Sequence, residues 1–406
     1  MLRFALSAVL LLCAEFIFAQ VDSSQHQIHH RLKTIENELK LNPQMKKNYE
    51  DLTFYYSQLM KNQFDSLRTS GFKLSAYIDA YYAHYSDKIA LGEYQKFPTS
   101  APISDAFGLN MAMVNLQYQN ENITGVLACH TGDIASSSWS AKYNYIQEAH
   151  VGVQLIKKLW LEGGYFRTHL GFESIQPREN IGSTIALTTY YEPYFLSGAK
   201  LTYFISPKIN VQLNMFNGFN TFVAINNRKT YGFSVGYEPV KNLIISYNSL
   251  YSDEAPEAVV IRKKRLYNDL YLAYKSSRFD LGFESNFGLQ TNSDLEDTTK
   301  MAFMYSLTIA GKYKMQNGRY SIYGRAELFD DKNEILTGPV QNAYHQLVGI
   351  NAIGVNLGLE YKPMPNSFLR VESRYLHLKN IENIFYSNGG FTSGRWETVA
   401  SMGVWF

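Results

Sequence analysis

The chain of 406 residues has a formal net charge of +2 and 18% charged residues, which excludes the one-signed footprint of a nucleic-acid or anionic-surface binder. A mean hydropathy of -0.24 excludes a helical membrane protein, and past the N-terminus no stretch approaches the roughly 18 apolar residues of a spanning helix. Aromatic residues make up 15% of the chain, 31 of them Tyr, a composition suited to two interfacial aromatic girdles.

Residues 1–19 read as a secretory signal peptide: Arg3 supplies the positive start, 4–14 the apolar core, and Ala19 before Gln20 the cleavage point. Glu15 and Ile17 are imperfect for such a site. A lipid anchor on Cys13 would require a small residue before it, where this chain has Leu12. Once the signal is removed, Cys129 is the only cysteine, and no internal disulfide can form.

Residues 20–70 have a helical period. Ile28, Leu32, Ile35 and Leu39 form one stripe and Met45, Tyr49, Leu52, Tyr56 and Leu59 a second, with Asn42 and Pro43 as N-cap and first-turn residue between them. A periplasmic helical segment is expected; a coiled-coil stalk is the alternative, although the stripes are short for one. His26, His29 and His30 lack Cys or carboxylate partners at ligand spacing.

From Phe72 the period becomes two, as in strands. Phe279, Leu281, Phe283, Phe287 and Leu289 alternate with Asp280, Gly282, Glu284, Gly288 and Gln290. The same alternation recurs in about sixteen segments of roughly 10 residues, an even number as in bacterial outer-membrane barrels. The connections alternate in length. Tight turns lie at 120–122, 156–158, 206–208, 239–241, 276–278, 316–318 and 363–366; long connections lie at 86–105, 132–142, 170–193, 218–229, 252–264, 291–300, 330–346 and 377–393. Short turns at one end and long loops at the other are the pattern of a transmembrane barrel, whereas a soluble sandwich has no reason to lengthen every second connection. The expected fold is therefore all-β: an up-and-down antiparallel transmembrane barrel of about sixteen strands over 71–406, preceded by the short helical segment.

The last strand, GRWETVASMGVWF at 394–406, runs to the final residue. Trp396, Thr398, Ala400, Met402, Val404 and Phe406 lie on one face. Such an edge is a liability in a soluble domain but closes a barrel by pairing with the first strand. Phe406 is the expected closure and assembly signal, which makes the barrel assembly machinery an expected partner.

Beyond the period, LSAYIDAYYAHYSD at 74–87, EAHVGVQL from 148, LWLEGGYFRTHLGFE, YYEPYFLSGAKLTYFIS and MFNGFN resemble the OmpL-like outer-membrane β-barrel porin family, over roughly 71–406. Gly171, Phe172, Glu173, Glu192, Pro193, Gly198, Asn217 and Gly218 match the family pattern, and Phe219 stands where Trp is commoner. The resemblance implies a porin fold and a pore in the outer membrane of a Gram-negative-type cell, and it transfers no catalytic residues.

Sixteen strands leave room for an aqueous channel. The alternation turns Arg325, Arg370, Arg374 and Arg395 inward on neighbouring strands, with Glu148, His150 and Glu162 on earlier ones. Glu173 and Glu179 lie in the longest loop, 170–193, which occupies the position of the loop that narrows general diffusion porins. These arginines and glutamates are the candidate selectivity residues; the bland alternative is that they pair across strands as filler. The expected function is passive diffusion of small polar solutes or ions, and a non-conducting barrel serving as adhesin or anchor is the alternative. No enzyme is expected: Glu148 and His150 have no nucleophile motif beside them, and phosphate-loop, dinucleotide and zinc spacings are missing. No cofactor and no nucleic-acid partner is expected. Outer-membrane lipids are the expected surroundings, and monomer and homo-oligomer both remain open.

Overall fold

The computed structural model describes residues 71–89, 92–97, 100–379 and 383–406. The expected signal (1–19) and helical segment (20–70) lie outside the described residues. The chain runs through β1 (Phe72–Tyr85), β2 (Phe107–Gln119), β3 (Ile123–Thr131), a short helix α1 (Asp133–Ser138), β4 (Ile146–Ile156) and β5 (Leu159–Arg167). A long connection carrying helix α2 (Leu187–Tyr191) leads to β6 (Phe195–Ser206), β7 (Ile209–Phe216), β8 (Thr230–Tyr237) and β9 (Leu243–Asp253). Then follow β10 (Lys264–Lys275), β11 (Phe279–Gln290), β12 (Ala302–Met315) and β13 (Tyr320–Asp331). A small hairpin of β14 (Val340–Gln341) and β15 (Leu347–Val348) precedes β16 (Ile350–Tyr361) and β17 (Ser367–Leu378). A second hairpin of β18 (Phe385–Ser387) and β19 (Gly390–Thr392) precedes the last strand, β20 (Gly394–Trp405).

The sixteen long strands pair in sequence order into one closed antiparallel barrel, as the alternation predicts. Closure is made by the two ends of the barrel chain. Tyr77 opposes Trp405 in the β1–β20 ladder, the Ala76 amide donates to the Phe406 carbonyl at 2.9 Å, and the Phe406 amide returns a bond to the Ala76 carbonyl at 3.2 Å. Among the described residues the barrel sheet itself has no free edge for another chain to extend.

Over much of their length the strands turn polar or small residues inward and apolar ones outward, the reverse of a soluble sheet, while Phe216, Leu250, Phe329 and Leu376 form an apolar patch on the inner face. On β16, Asn356, Gly358 and Glu360 are turned inward, while Leu357 and Leu359 are 62% and 60% exposed on the outside. On β12, Ser306 and Thr308 are buried while Phe303, Leu307 and Ile309 face out. An apolar groove of about 700 Å³ on this outer surface lies among Tyr82, Phe107, Leu359, Leu369 and Met402, away from the lumen.

The turns match their chemistry. At 316–318 the backbone passes through positive φ at Gln316, Asn317 and Gly318, a conformation that Asn and Gly reach with least strain. At the other end the long connections turn apolar residues inward: Trp139 stacks on Tyr194 at 5.2 Å, and Phe195 on Phe222 at 3.8 Å. These rings pack with Tyr77, Met111, Ile175 and Ile185 into a cluster inside the barrel.

Candidate functional site

The connection between β5 and β6, residues 168–194, folds against the inner wall. Its amides meet carboxylates at one side: Gly171 N–H donates to Asp269 of β10 at 3.1 Å, and Phe172 N–H to Glu284 of β11 at 3.2 Å. Ile181 packs with Ala310 of β12 and Tyr323 of β13. Leu187 N–H donates to Glu327 of β13 at 2.7 Å, and Ser183 N–H to Glu372 of β17 at 2.7 Å. Ser183 shares a 2.7 Å hydroxyl contact with Ser401 of β20, and Arg178 lies over the Tyr77 ring of β1. One loop thus covers a continuous arc of wall from β10 round to β1.

The inward-facing arginines sit under this arc. Arg325 pairs with Glu173 at 3.0 Å and donates to the carbonyls of Thr184 at 2.6 Å and Ile185 at 3.0 Å. Arg370 binds Glu360 at 2.7 Å and reaches the carbonyls of Pro177, Gly182 and Asn180 at 2.8, 2.6 and 3.2 Å. Arg374 lies between Glu327 at 2.5 Å and Glu397 at 3.3 Å. Arg395 pairs with Glu397 at 3.1 Å and donates to the carbonyls of Lys96 and Phe97 in the first long connection. That connection also reaches the inward loop, where the Ser100 hydroxyl donates to the Ser183 carbonyl at 3.0 Å. All four arginines are on the inner wall and buried, and each has its terminal guanidinium nitrogens bonded to carboxylates or loop carbonyls.

The two acidic residues expected in the loop divide. Glu173 is buried, accepts from Ala186 N–H at 2.7 Å and pairs with Arg325. Glu179 pairs with Arg167, at the end of β5, at 2.5 Å, with about a third of each side chain exposed. Burial raises the Glu179 carboxyl, but the Arg167 guanidinium, together with the Ser174 hydroxyl and Arg178, outweighs it and holds the pKa below its ordinary value.

On the wall that the loop leaves open, His150 lies 2.8 Å from Glu148 and 3.6 Å from Glu162. Lys200 of β6 lies 3.7 Å from Glu162 and 4.0 Å from the centre of the Phe166 ring. Two cations here, Arg167 and Lys200, were not among the residues singled out from sequence. Lys200 could have been found, because it occupies the polar side of the alternation in GAKLTYF. A cavity of about 320 Å³ lies between the loop and this side, lined by Arg167, His169, Glu179, Glu192, Tyr271 and Lys275.

A buried acidic group was not anticipated as a unit. Glu192 from the loop, Asp269 from β10 and Glu284 from β11 each place a carboxylate oxygen within 4.8 Å of the others. Burial, then the neighbouring Glu284 and Asp269 carboxylates, push the Glu192 pKa well above its ordinary value. Their sequence signal is weak, since one lies in a loop and the other two on separate strands.

No curated protein matches the chain. The fold is similar to that of OprB from Pseudomonas putida (TM-score 0.55, 10% identity, covering 83% of this chain and 94% of that one). It is also similar to an anion-selective porin from Comamonas acidovorans (0.53, 10%, 83% and 100%) and to OmpF from Salmonella typhi (0.53, 13%, 83% and 98%). The family described as "Putative beta-barrel porin-2, OmpL-like" matches residues 71–406. The closed sixteen-strand barrel, its apolar outer belt and that match together place the protein in the outer membrane, and the chain belongs to the OmpL-like family of β-barrel porins.

Proposed function

We propose that the protein is a narrowed, water-filled channel for passive diffusion of small polar solutes or ions. The observation that supports this best is the asymmetry of the lumen: one inward loop covers the wall from β10 to β1, while the β4–β6 side carries partly exposed charge. Arg167, Lys200, Glu148, Glu162 and Glu179 then face the passage. Arg325, Arg370, Arg374 and Arg395 act on permeation indirectly, by holding the loops that shape it. Charge of both signs at a constriction orients polar solutes and sets ion preference. His150 with Glu148 and Glu162 is read as part of this wall and not as a catalytic group.

Export by the 1–19 signal and insertion guided by Phe406 belong to the same reading. Single-channel recording of the purified protein in a planar bilayer, with reversal potentials in a salt gradient, tests it. Discrete conductance steps are expected. A second reading, a non-conducting barrel serving as anchor or adhesin, has support in the depth to which the two loops bury the arginines. A silent bilayer with folded protein would favour it over the channel.

A further inference from the structure

The inner wall holds a group that the channel reading does not use. Glu192, Asp269 and Glu284 are each at most 1% exposed, yet among the described residues no Lys, Arg or His pairs with any of them, and their charged neighbours are other carboxylates. In their ionised form three buried carboxylates without a cation are costly, because the charge leaves water with no opposite charge to offset it. Part of their demand is met by donors: Tyr267 O–H to Glu192 Oε1 at 2.5 Å, Asn248 to Asp269 Oδ2 at 2.7 Å, and Asn286 to Glu284 Oε1 at 2.7 Å.

The remainder is not met. Glu192 Oε2 and Asp269 Oδ1 are buried and accept from nothing. Asn286, which is outside the acidic trio and 3% exposed, also has a buried side-chain oxygen without a donor. The unmatched atoms are all acceptors, which is the demand a cation meets. The oxygens also converge: a Cβ built on Gly171 would lie 3.1 Å from both Glu192 Oε2 and Glu284 Oε2, so the glycine keeps a small space open between them.

We propose that Glu192, Asp269 and Glu284 form a site for one hard divalent cation of the calcium class. An all-oxygen donor set without thiolate or imidazole suits calcium or magnesium and not zinc. Calcium is favoured of the two because it accepts an irregular shell of oxygens from a loop and two strands, whereas magnesium demands near-ideal octahedral geometry. Lumen water completes the shell. The site joins the C-terminal part of the inward loop to β10 and β11, so the cation clamps the loop at the side away from the arginines. This inference rests on the loop geometry and not on conduction.

The test uses full-length protein refolded without lipopolysaccharide, which itself binds calcium, and stripped with EDTA. Calcium chloride is titrated calorimetrically into the parent, into Asp269→Asn with Glu284→Gln, and into the loop variant Glu192→Gln. Heat-modifiable gel mobility selects folded barrels. One calcium per barrel is expected in the parent, with at least about tenfold weaker binding in both variants and a calcium-dependent rise in Tm that only the parent shows. No binding by the folded parent, or binding that survives in both variants, overturns the site. A parent that binds calcium but conducts nothing removes the channel and keeps the site; one that conducts without binding calcium does the reverse.

Discussion

Arg325 on β13 and Glu173 in the inward loop form a 3.0 Å ion pair across 152 residues of sequence. Both side chains are almost fully buried. Two remaining donors of Arg325 are spent on the carbonyls of Thr184 and Ile185. A buried ion pair adds little net stability over an apolar pair of the same shape, but losing one partner leaves an unpaired buried charge. The contact therefore fixes where the loop sits more than it stabilises the barrel.

Glu173→Ala is expected to free the loop while the barrel, held by its sixteen-strand ladder, stays folded. Loss of one partner of a buried pair costs about 3–5 kcal/mol, here concentrated in loop docking. Single-channel conductance should rise and the loop should become open to limited proteolysis. Unchanged conductance and unchanged cleavage would show that the loop is held by its other contacts alone.

The facing of the strands is tested on β16. Leu357→Arg puts a charge on the outer surface, where an arginine near the midplane costs about 2–4 kcal/mol. The inner-wall change Gln212→Ala removes a hydrogen bond to Thr202, a matter of about 1 kcal/mol. Urea unfolding in lipid vesicles should rank Leu357→Arg as the less stable. The opposite ranking would exchange the inside and outside of the barrel.

The barrel was legible in the sequence for a physical reason: a period of two with polar residues inward and alternating turn lengths are local properties. Closure was legible because a strand ending at Phe406 needs a partner, and β1 supplies it. The site was legible only in part. Alternation assigns Arg370 to the inner face, but it cannot say that carbonyls of Pro177, Asn180 and Gly182 will cover it. Such contacts join residues far apart in sequence and follow no period. The Glu192, Asp269 and Glu284 group was illegible for the same reason.

Acid should loosen the loop at Glu179. Its folded pKa lies below the ordinary glutamate value of about 4.3, because Arg167 chiefly, with Ser174 and Arg178, outweighs the effect of burial. Arg178 at 3.8 Å adds to the hold, and Lys275 donates to the Glu179 carbonyl. A depressed carboxyl contributes stability above its unfolded pKa that is lost as pH falls through the folded one. Conductance should be steady from pH 7 to about 5 and change below about 4, and Glu179→Gln should remove that step. A step that persists in the variant would assign it to another group.

Ion preference separates charges that face the passage from charges that hold the loops. Lys200 is partly exposed on the open wall beside Glu162, whereas Arg370 is buried beneath the loop with every donor group engaged. A fixed charge acts on passing ions through water and is screened over about 8 to 10 Å at ordinary salt, so its effect must fall as salt rises. Lys200→Glu is therefore expected to move the reversal potential toward cations, by less at 1 M salt than at 0.1 M (about 3 Å against about 10 Å of screening), with little change in conductance. Arg370→Met should behave differently. It unlocks three loop carbonyls, so conductance and its noise should rise with a smaller change in preference. Should Arg370→Met instead shift the reversal potential at constant conductance, the arginine acts through its own field and faces the passage, and the loop-anchor role assigned to it is lost.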